Sequence, residues 1–359
     1  MAQSTGMWTL PAQDGLESLH YEANGPVRSE QDLGPDEVLV EICAASLNYR
    51  DIVVSQGGVS GSPMRLTAPP SMIPGSDGSG RILAIGSAVA PARPDLGPGV
   101  EVITHMVPCI VDDELPGYDQ ISSGLGGEIN GTLCRRGIFH HGALVPKPKT
   151  LSHAQAATLT CSGLTAWNAL MGYKGRMVKK DDWVLVQGTG GVSIAALQIA
   201  LAAGANVIAT TSSSAKASRL LSLGATHVLN YRETPSWGTA AKDLTPSSCG
   251  VDHVIDVGGP TTLPESMQAV RRDGLITISG LVGGLEGSVD MMAALWNICS
   301  LRGILLGTRD MLRDMVAFVD EHEIPIAVDA VVFSLEDAKG AYERLKEQKH
   351  FSKVIIMME

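Results

Sequence analysis

The stretch Val184-Leu-Val-Gln-Gly188-Thr-Gly190-Gly191-Val-Ser193 decides the fold. A β-branched run enters a glycine-rich turn and leaves as an uncharged run with helical spacing, the order of a strand, a tight turn and a helix. Gly188 permits the turn, and Gly190 lets the main chain approach a pyrophosphate. The amino end of the next helix, opened by Gly191 and Val192, offers unpaired N–H groups and partial positive charge. Ser193 stands where the general fingerprint has a third glycine, and it is small enough for close helix-sheet packing. Taken alone, the pattern is also a plain strand-to-helix turn that needs glycine.

The residues on either side favour the dinucleotide reading. Val184 to Gln187, Asn206 to Thr210, His227 to Leu229, Val251 to Val257 and Leu275 to Ser279 have the short, β-branched composition of strands. Val192 to Ala203, Ala215 to Leu223 and Thr262 to Val270 lie between them with helical spacing. This alternation predicts an α/β domain, a parallel sheet with helices on both faces. It also accounts for the uncharged run Trp183 to Ala215. That run is long enough to span a bilayer, but glycines, glutamines and an asparagine interrupt it, and a doubly covered parallel strand needs no charge.

An NAD site usually places Asp or Glu at the end of the second strand, against the ribose 2′-hydroxyl. Here Thr210, Thr211, Ser212, Ser213 and Ser214 come first, followed by Lys216 and Arg219. Hydroxyls and positive charge suit a 2′-phosphate, which predicts NADPH. The alternative is that the serines cap the following helix and the two basic residues are solvated.

From about residue 7 to 150 the texture differs: Glu37 to Ile42, Gly80 to Ile85 and Val100 to Thr104 are short runs broken by Gly, Pro and Asp, predicting a β-rich domain. Val107 to Ile129 is read as loop, open to movement. Ser152 to Gly172 has helical spacing with Ser152 as N-cap. In Val331 to Glu359 a strand, a helix opened by Ser334 and a strand Lys353 to Met357 fit poorly as another sheet repeat. They predict a return to the first domain.

Composition narrows the function classes. The 359 residues include 27 Lys+Arg against 38 Asp+Glu, a formal charge of -11 without a basic cluster, so a nucleic-acid partner is not expected. Aromatic content is 4%, leaving few stacking platforms. The six cysteines are scattered singly, and Met1 to Pro11 lacks a basic start and apolar run. The expectation is a cytoplasmic chain with no membrane partner. The adjacent His140 and His141 are read as surface or core residues, and Cys161 as an inert thiol. Met64, Met72 and Met106 are candidates to line an apolar pocket.

The chain resembles the medium-chain dehydrogenase/reductase superfamily, in particular its zinc-independent quinone oxidoreductase-like branch. The resemblance rests on Ser46-Leu-Asn48-Tyr49-Arg-Asp51, Pro74-Gly-Ser-Asp77-Gly-Ser-Gly80, Leu159-Thr-Cys-Ser-Gly-Leu-Thr165-Ala-Trp, the Gly188 loop, Gly224-Ala-Thr-His-Val-Leu-Asn230-Tyr231-Arg-Glu and Phe351-Ser-Lys-Val-Ile-Ile. It implies a GroES-like catalytic domain from residues 1–150 and 320–359, a Rossmann domain from 151–319 that binds NADP(H), and a cleft at their junction. The catalytic zinc ligands of the metal-dependent members, Cys, His and Cys, correspond here to Asn48, Ser76 and Cys161. Two of the three are poor ligands, so no metal is expected.

Without a Lewis acid, plain alcohol oxidation loses several kcal/mol of stabilisation. A quinone or α,β-unsaturated carbonyl already spreads the incoming hydride's charge onto oxygen, so the expected reaction is reduction of such a small molecule. The resemblance places Asn48 and Tyr49 at the nicotinamide end, where Tyr49 either donates a proton or packs beside the ring. It places Thr165 there too, either as a cofactor contact or as a helix threonine bonded to its own turn. Lys216 and Tyr231, with Ser212 or Ser213, match residues flanking the adenosine phosphate. Val257, Leu281 and Gly307 lie in loops at predicted strand ends, where this fold binds ligands. A metal-free alcohol or ketone oxidoreductase and a non-catalytic NADPH-binding protein are the alternatives. A homodimer through the sheet edge, supplied by a strand Arg302 to Leu306, is a further expectation.

Overall fold

A computed structural model describes residues 6–59 and 66–358, and Met64 lies outside them. The chain divides into two compact units, one up to Ser162 and again from Thr308, the other Gly163–Gly307.

The first unit opens with the antiparallel pair β1 (Met7–Thr9) and β2 (His20–Glu22). Then β3 (Glu37–Ser46), β4 (Asp77–Ile85), β5 (Glu101–Thr104), β6 (Arg136–His140) and β7 (Leu144–Pro146) build an antiparallel sheet. Most of β3 is buried, and it pairs with β4 along one edge and β6 along the other. Gly80 allows the first pairing, because a Cβ there would lie 2.2 Å from the Glu41 carbonyl oxygen.

In the second unit β8 (Trp183–Gln187), β9 (Asn206–Thr211), β10 (His227–Asn230), β11 (Val251–Asp256), β12 (Val270–Ile278) and β13 (Ser300–Gly303) form one parallel sheet in the order β10-β9-β8-β11-β12-β13. This is the doubly wound order that reverses between its first and fourth strands. Val184, Leu185, Val186, Val207, Ile208, Ala209, Val254 and Ile255 are wholly buried. The helix Gly191–Ala202 buries Ser193 to Ala200 against them, which is why this stretch carries no charge.

The chain then returns to the first unit. β14 (Val332–Ser334) and β15 (Ile355–Met357) are parallel, and β15 pairs antiparallel with β3, Ile355 opposite Ser46 and Met357 opposite Ala44. The predicted return is observed.

Several local readings change. The helix predicted over Ser152 to Gly172 is broken into His153–Ala156, a tight turn Ala157–Leu159 and Ser162–Met171. The last strand of the parallel sheet is Ser300–Gly303, earlier than Arg302 to Leu306, because it stays in register with β12 only that far. Ser334 accepts from the Asp337 N–H in a turn, and the helix starts at Ala338. The compact units part after Ser162 and Gly307, whereas 150 and 319 are the boundaries drawn from sequence. The helix Arg309–Glu321 stays with the first unit because Asp320 accepts from the Lys149 and Thr150 N–H groups.

The stretch 107–129, read as a movable loop, contains the helix Tyr118–Ser122 and is braced by three arginines. Arg50 donates to the carbonyls of Ile121, Ser122 and Leu125. Arg309 donates to those of Pro108 and Ile110 at 2.9 Å each and pairs, with Arg313, with Asp112. Replacing Arg309 by Met removes these donors from buried carbonyls. The expected loss is about 2 kcal/mol in urea unfolding, with new cleavage by limited proteolysis within residues 107–116.

Candidate active site

All the loops expected to touch a dinucleotide, except that of Thr165, follow carboxyl ends of the parallel strands and so share one edge of the second unit's sheet. Gly188 has φ +74°, a conformation that favours glycine, and its N–H donates to the Thr210 carbonyl at 3.0 Å. Gly190 is the N-cap of the helix Gly191–Ala202, so Gly191 and Val192 form its first turn. A Cβ at Gly188 or Gly190 would meet nothing within 4 Å, leaving open space above the turn. Ser193, in place of the third glycine, is buried and donates to the Gln187 carbonyl at 2.6 Å, tying helix to strand.

At the neighbouring strand ends, Asn230 pairs with Thr211 and the Tyr231 N–H donates to the Thr211 carbonyl at 3.0 Å. This sets Tyr231, 41% exposed, beside Ser212. Ser213 caps the helix Ser214–Ser222 by accepting from the Lys216 N–H, so the capping role considered for these serines holds for Ser213. Ser212, Lys216 and Tyr231 remain grouped at the same corner.

Sequence reasoning missed the brace between the two central loops. The Gln187 amide donates to Asp256 Oδ2 at 3.0 Å and accepts from the Val257 N–H at 3.2 Å. Asp256, fully buried, accepts from the Gly258 and Gly259 N–H groups and the Thr262 hydroxyl. The two loops flanking the reversal of strand order are therefore held by one polar network. A Gln ending the first strand and an Asp ending the fourth were its only signal. The Val257 carbonyl in turn accepts from Val282 N–H beside Leu281. Thr165 sits one turn before Asn168, whose amide donates to the Leu306 carbonyl next to Gly307. Thr165 makes no bond to its own turn among the described residues.

In the first unit a second constellation is buried. Lys353, 3% exposed, donates from Nζ to the Leu47 carbonyl at 2.6 Å, Asn48 Oδ1 at 2.5 Å and Asp77 Oδ2 at 3.0 Å. Asp77 also accepts from the hydroxyls of Ser46 and Ser76 at 3.0 Å each. Asn48 Oδ1 accepts in addition from Ser162 Oγ at 3.3 Å, and Asn48 Nδ2 donates to Ser76 Oγ at 3.4 Å. Asn48 and Ser76 thus meet as the resemblance implies. Burial and the Asp77 charge push the nearby Cys161 thiol up to about 12. Tyr49 stands apart: it begins the helix Tyr49–Ser55, is 48% exposed, and has no hydrogen bond to the cluster among the described residues. Met72 and Met106 are buried core residues, and no group of three metal-ligating side chains occurs among the described residues. Lys353 lies in the stretch Phe351-Ser-Lys-Val-Ile-Ile that carries the resemblance, but no sequence pattern pointed to a role for it in the site. A cleft of about 260 Å³ lined by Arg28, Asp32, Asn130 and Arg136 includes none of these residues.

A glycine turn at the reversal point of an open parallel sheet is the place where such sheets hold dinucleotides. Carried by a chain whose other unit is an antiparallel β fold, it defines a class, the two-unit nicotinamide oxidoreductases. Comparison with known proteins narrows it. The family model described as alcohol dehydrogenase GroES-like domain matches residues 34–150, and the one described as zinc-binding dehydrogenase matches residues 191–321. A zinc-type alcohol dehydrogenase-like protein of Schizosaccharomyces pombe is 40% identical over 333 residues, 92% of this chain and 93% of that one. A crotonyl-CoA carboxylase/reductase of Cereibacter sphaeroides is 30% identical over 71% of this chain and 65% of its own length. A solved structure described as an NAD-dependent alcohol dehydrogenase superposes with a TM-score of 0.84 at 31% identity, covering 99% of this chain and 100% of that one. The chain belongs to the medium-chain dehydrogenase/reductase superfamily and is an oxidoreductase.

Asp51 supplies a test of the buried cluster. Its Oδ2 accepts from the Asn48 N–H at 2.7 Å, while Oδ1 has no partner among the described residues. Burial pushes its carboxyl from the ordinary 3.8 up to about 6. The folded state therefore binds the proton more tightly than the unfolded chain, and this group's contribution to stability falls as pH rises from about 4 to 6. Asp51→Asn keeps an acceptor for the Asn48 N–H and cannot ionise. Its stability relative to wild type is expected to rise by about 2 kcal/mol across that window, read by denaturant titration at a series of pH values.

Proposed function

We propose that the protein is an NADPH-dependent, zinc-independent reductase of activated acceptors, α,β-unsaturated carbonyls or quinones, of the quinone oxidoreductase-like kind. The observation that carries this reading is the donor chemistry at the three positions matching the family's catalytic metal ligands. An amide whose oxygen already accepts from an ammonium, and a serine hydroxyl, are poor zinc ligands, and the one remaining thiol cannot supply the three protein ligands that a catalytic zinc needs. The chemistry would then work through hydrogen bonds, which favours an acceptor that delocalises charge by itself.

The Gly188 turn, the first turn of the helix Gly191–Ala202 and the loops at Val257, Leu281 and Gly307 would hold the dinucleotide; Ser212, Lys216 and Tyr231 would take its 2′-phosphate, since Thr211 and the serines after it stand where an NAD site carries Asp or Glu. When bound in its reduced form, the cofactor supplies hydride. The β-carbon of an enone gains that hydride and its electron pair, the C=C π pair moves toward oxygen as an enolate, and a proton from Tyr49 or water completes the saturated carbonyl. Asn48, in the first unit, would be the donor for the oxygen that gathers charge. The crotonyl-CoA relative is named for an unsaturated thioester of the same electronic type. The NAD-dependent alcohol dehydrogenase neighbour favours a second reading, carbonyl reduction without metal. Scattered thiols suit a reducing, cytoplasmic setting.

Anaerobic incubation with NADPH and a panel of enones, quinones and plain ketones separates these readings. Enone or quinone reduction with no ketone turnover is the expected result; ketone turnover alone favours the second, and tight NADPH binding without any oxidation favours a binding protein. Within the active reaction, Lys216→Ala is expected to raise KM for NADPH about tenfold or more and leave that for NADH unchanged, the loss of one charge-assisted contact.

The second unit also presents a face for a second copy of the chain. Among the described residues β13 has a strand partner on one side only, and in the segment leading to and following it Val282, Leu285, Met291, Met292, Leu295, Trp296, Ile298 and Leu305 are exposed, Trp296 at 74%. At roughly 100 Å² each these side chains supply the ~800 Å² per partner of a standard interface. Two such edges can pair about a two-fold axis. Light scattering after size exclusion should give a dimer at micromolar concentration, and Trp296→Asp should give a monomer; a monomeric wild type would refute the pairing.

A further inference from the structure

We propose that Lys353 is a positioning residue for the reaction: its ammonium locks the Asn48 carboxamide with the oxygen inward, leaving Nδ2 as a polarised donor for the acceptor's carbonyl oxygen. The inference rests on the acceptor-reduction reading above.

An amide side chain can in principle sit in either of two orientations, and here the neighbours choose. Lys353 Nζ carries three protons and no lone pair, so the atom facing it at 2.5 Å must be an acceptor. The Ser162 hydroxyl donates to the same oxygen. Turning the amide over would set its NH₂ against an ammonium. On the other side of the amide, the Ser76 hydroxyl gives its proton to Asp77 Oδ1, so its oxygen is an acceptor for one Nδ2 proton over a long 3.4 Å. The second Nδ2 proton has no acceptor among the described residues, and Asn48 keeps 7% of its surface open. A positive charge on an amide oxygen draws density from the nitrogen and strengthens its N–H as a donor. The ammonium cannot swing away, because Asp77 and the Leu47 carbonyl hold its other two protons. A fixed cation therefore acts on the substrate's oxygen through one intervening amide.

Two variants test this. Asn48→Asp keeps the shape and the Lys353 contact but has no N–H to donate. Lys353→Met removes the charge and leaves the amide in place. Each is measured by thermal melting, by stopped-flow NADPH oxidation with 2-cyclohexenone, and by isotope-edited infrared spectroscopy of ¹³C-carbonyl cyclohexanone bound to the NADP⁺-loaded protein. The expected result for Asn48→Asp is a near-native melting temperature, kcat lowered about 100-fold, KM for NADPH unchanged, and loss of the downshift of the labelled carbonyl stretch. For Lys353→Met the downshift shrinks and kcat falls about tenfold, whatever happens to the melting temperature. A wild-type carbonyl stretch in either variant overturns the proposal. If the wild type polarises the labelled carbonyl through these two residues yet turns over no enone or quinone, the reductase reading fails and the role of Lys353 stands.

Discussion

A buried ammonium is tolerated only when its protons meet acceptors, since removing such an ion from water costs several kcal/mol even after the surroundings relax. Lys353 meets three: the Leu47 carbonyl just after β3, the side chain of the next residue, Asn48, and the first residue of β4. Asp77 closes the arrangement by accepting from two serines as well. Much else in that unit depends on this pair. It fastens the returning chain end beside β3, where β15 completes the sheet, and it sets which atoms of Asn48 remain available for chemistry.

The second unit solves a different problem with similar means. Its two central strands end in loops that must stay open for a ligand, and open loops have few contacts to hold them. Gln187 and Asp256 supply the hold from below, spanning adjacent strands and capturing the N–H groups of Val257, Gly258 and Gly259. The space over Gly188 and Gly190 can therefore be empty of side chains without the turn collapsing. In both units a buried acid organises backbone and side chains around a position left free for something else.

Much of this was legible in the sequence because it depends on short-range periodicity. The parallel strands came within a residue or two of their observed ends, except β12, which begins earlier, at Val270, and the edge strand β13. The edge was harder because an edge strand is half exposed and lacks the continuous apolar run of its neighbours. The helix after Ser152 was overdrawn for a related reason: alanine-rich spacing reads as one helix, but the winding tightens to a 3-10 turn over Ala157–Leu159, next to β3 and β4. The loop after Val107 has no periodic pattern, and its order comes from arginines far away in sequence, Arg50 and Arg309, which no local reading can pair with it.

The sequence by itself determined the parallel-sheet unit and its dinucleotide turn, because each is written in spacing along a single stretch, while the resemblance to the family located the would-be metal positions. Only the tertiary structure decided that Lys353 and Asp77 neutralise each other, that Asn48 faces the ammonium with its oxygen, and that Gln187 and Asp256 brace two loops. Those are contacts between residues as far as 305 positions apart, and hydrogen-bond direction depends on which atoms meet in space.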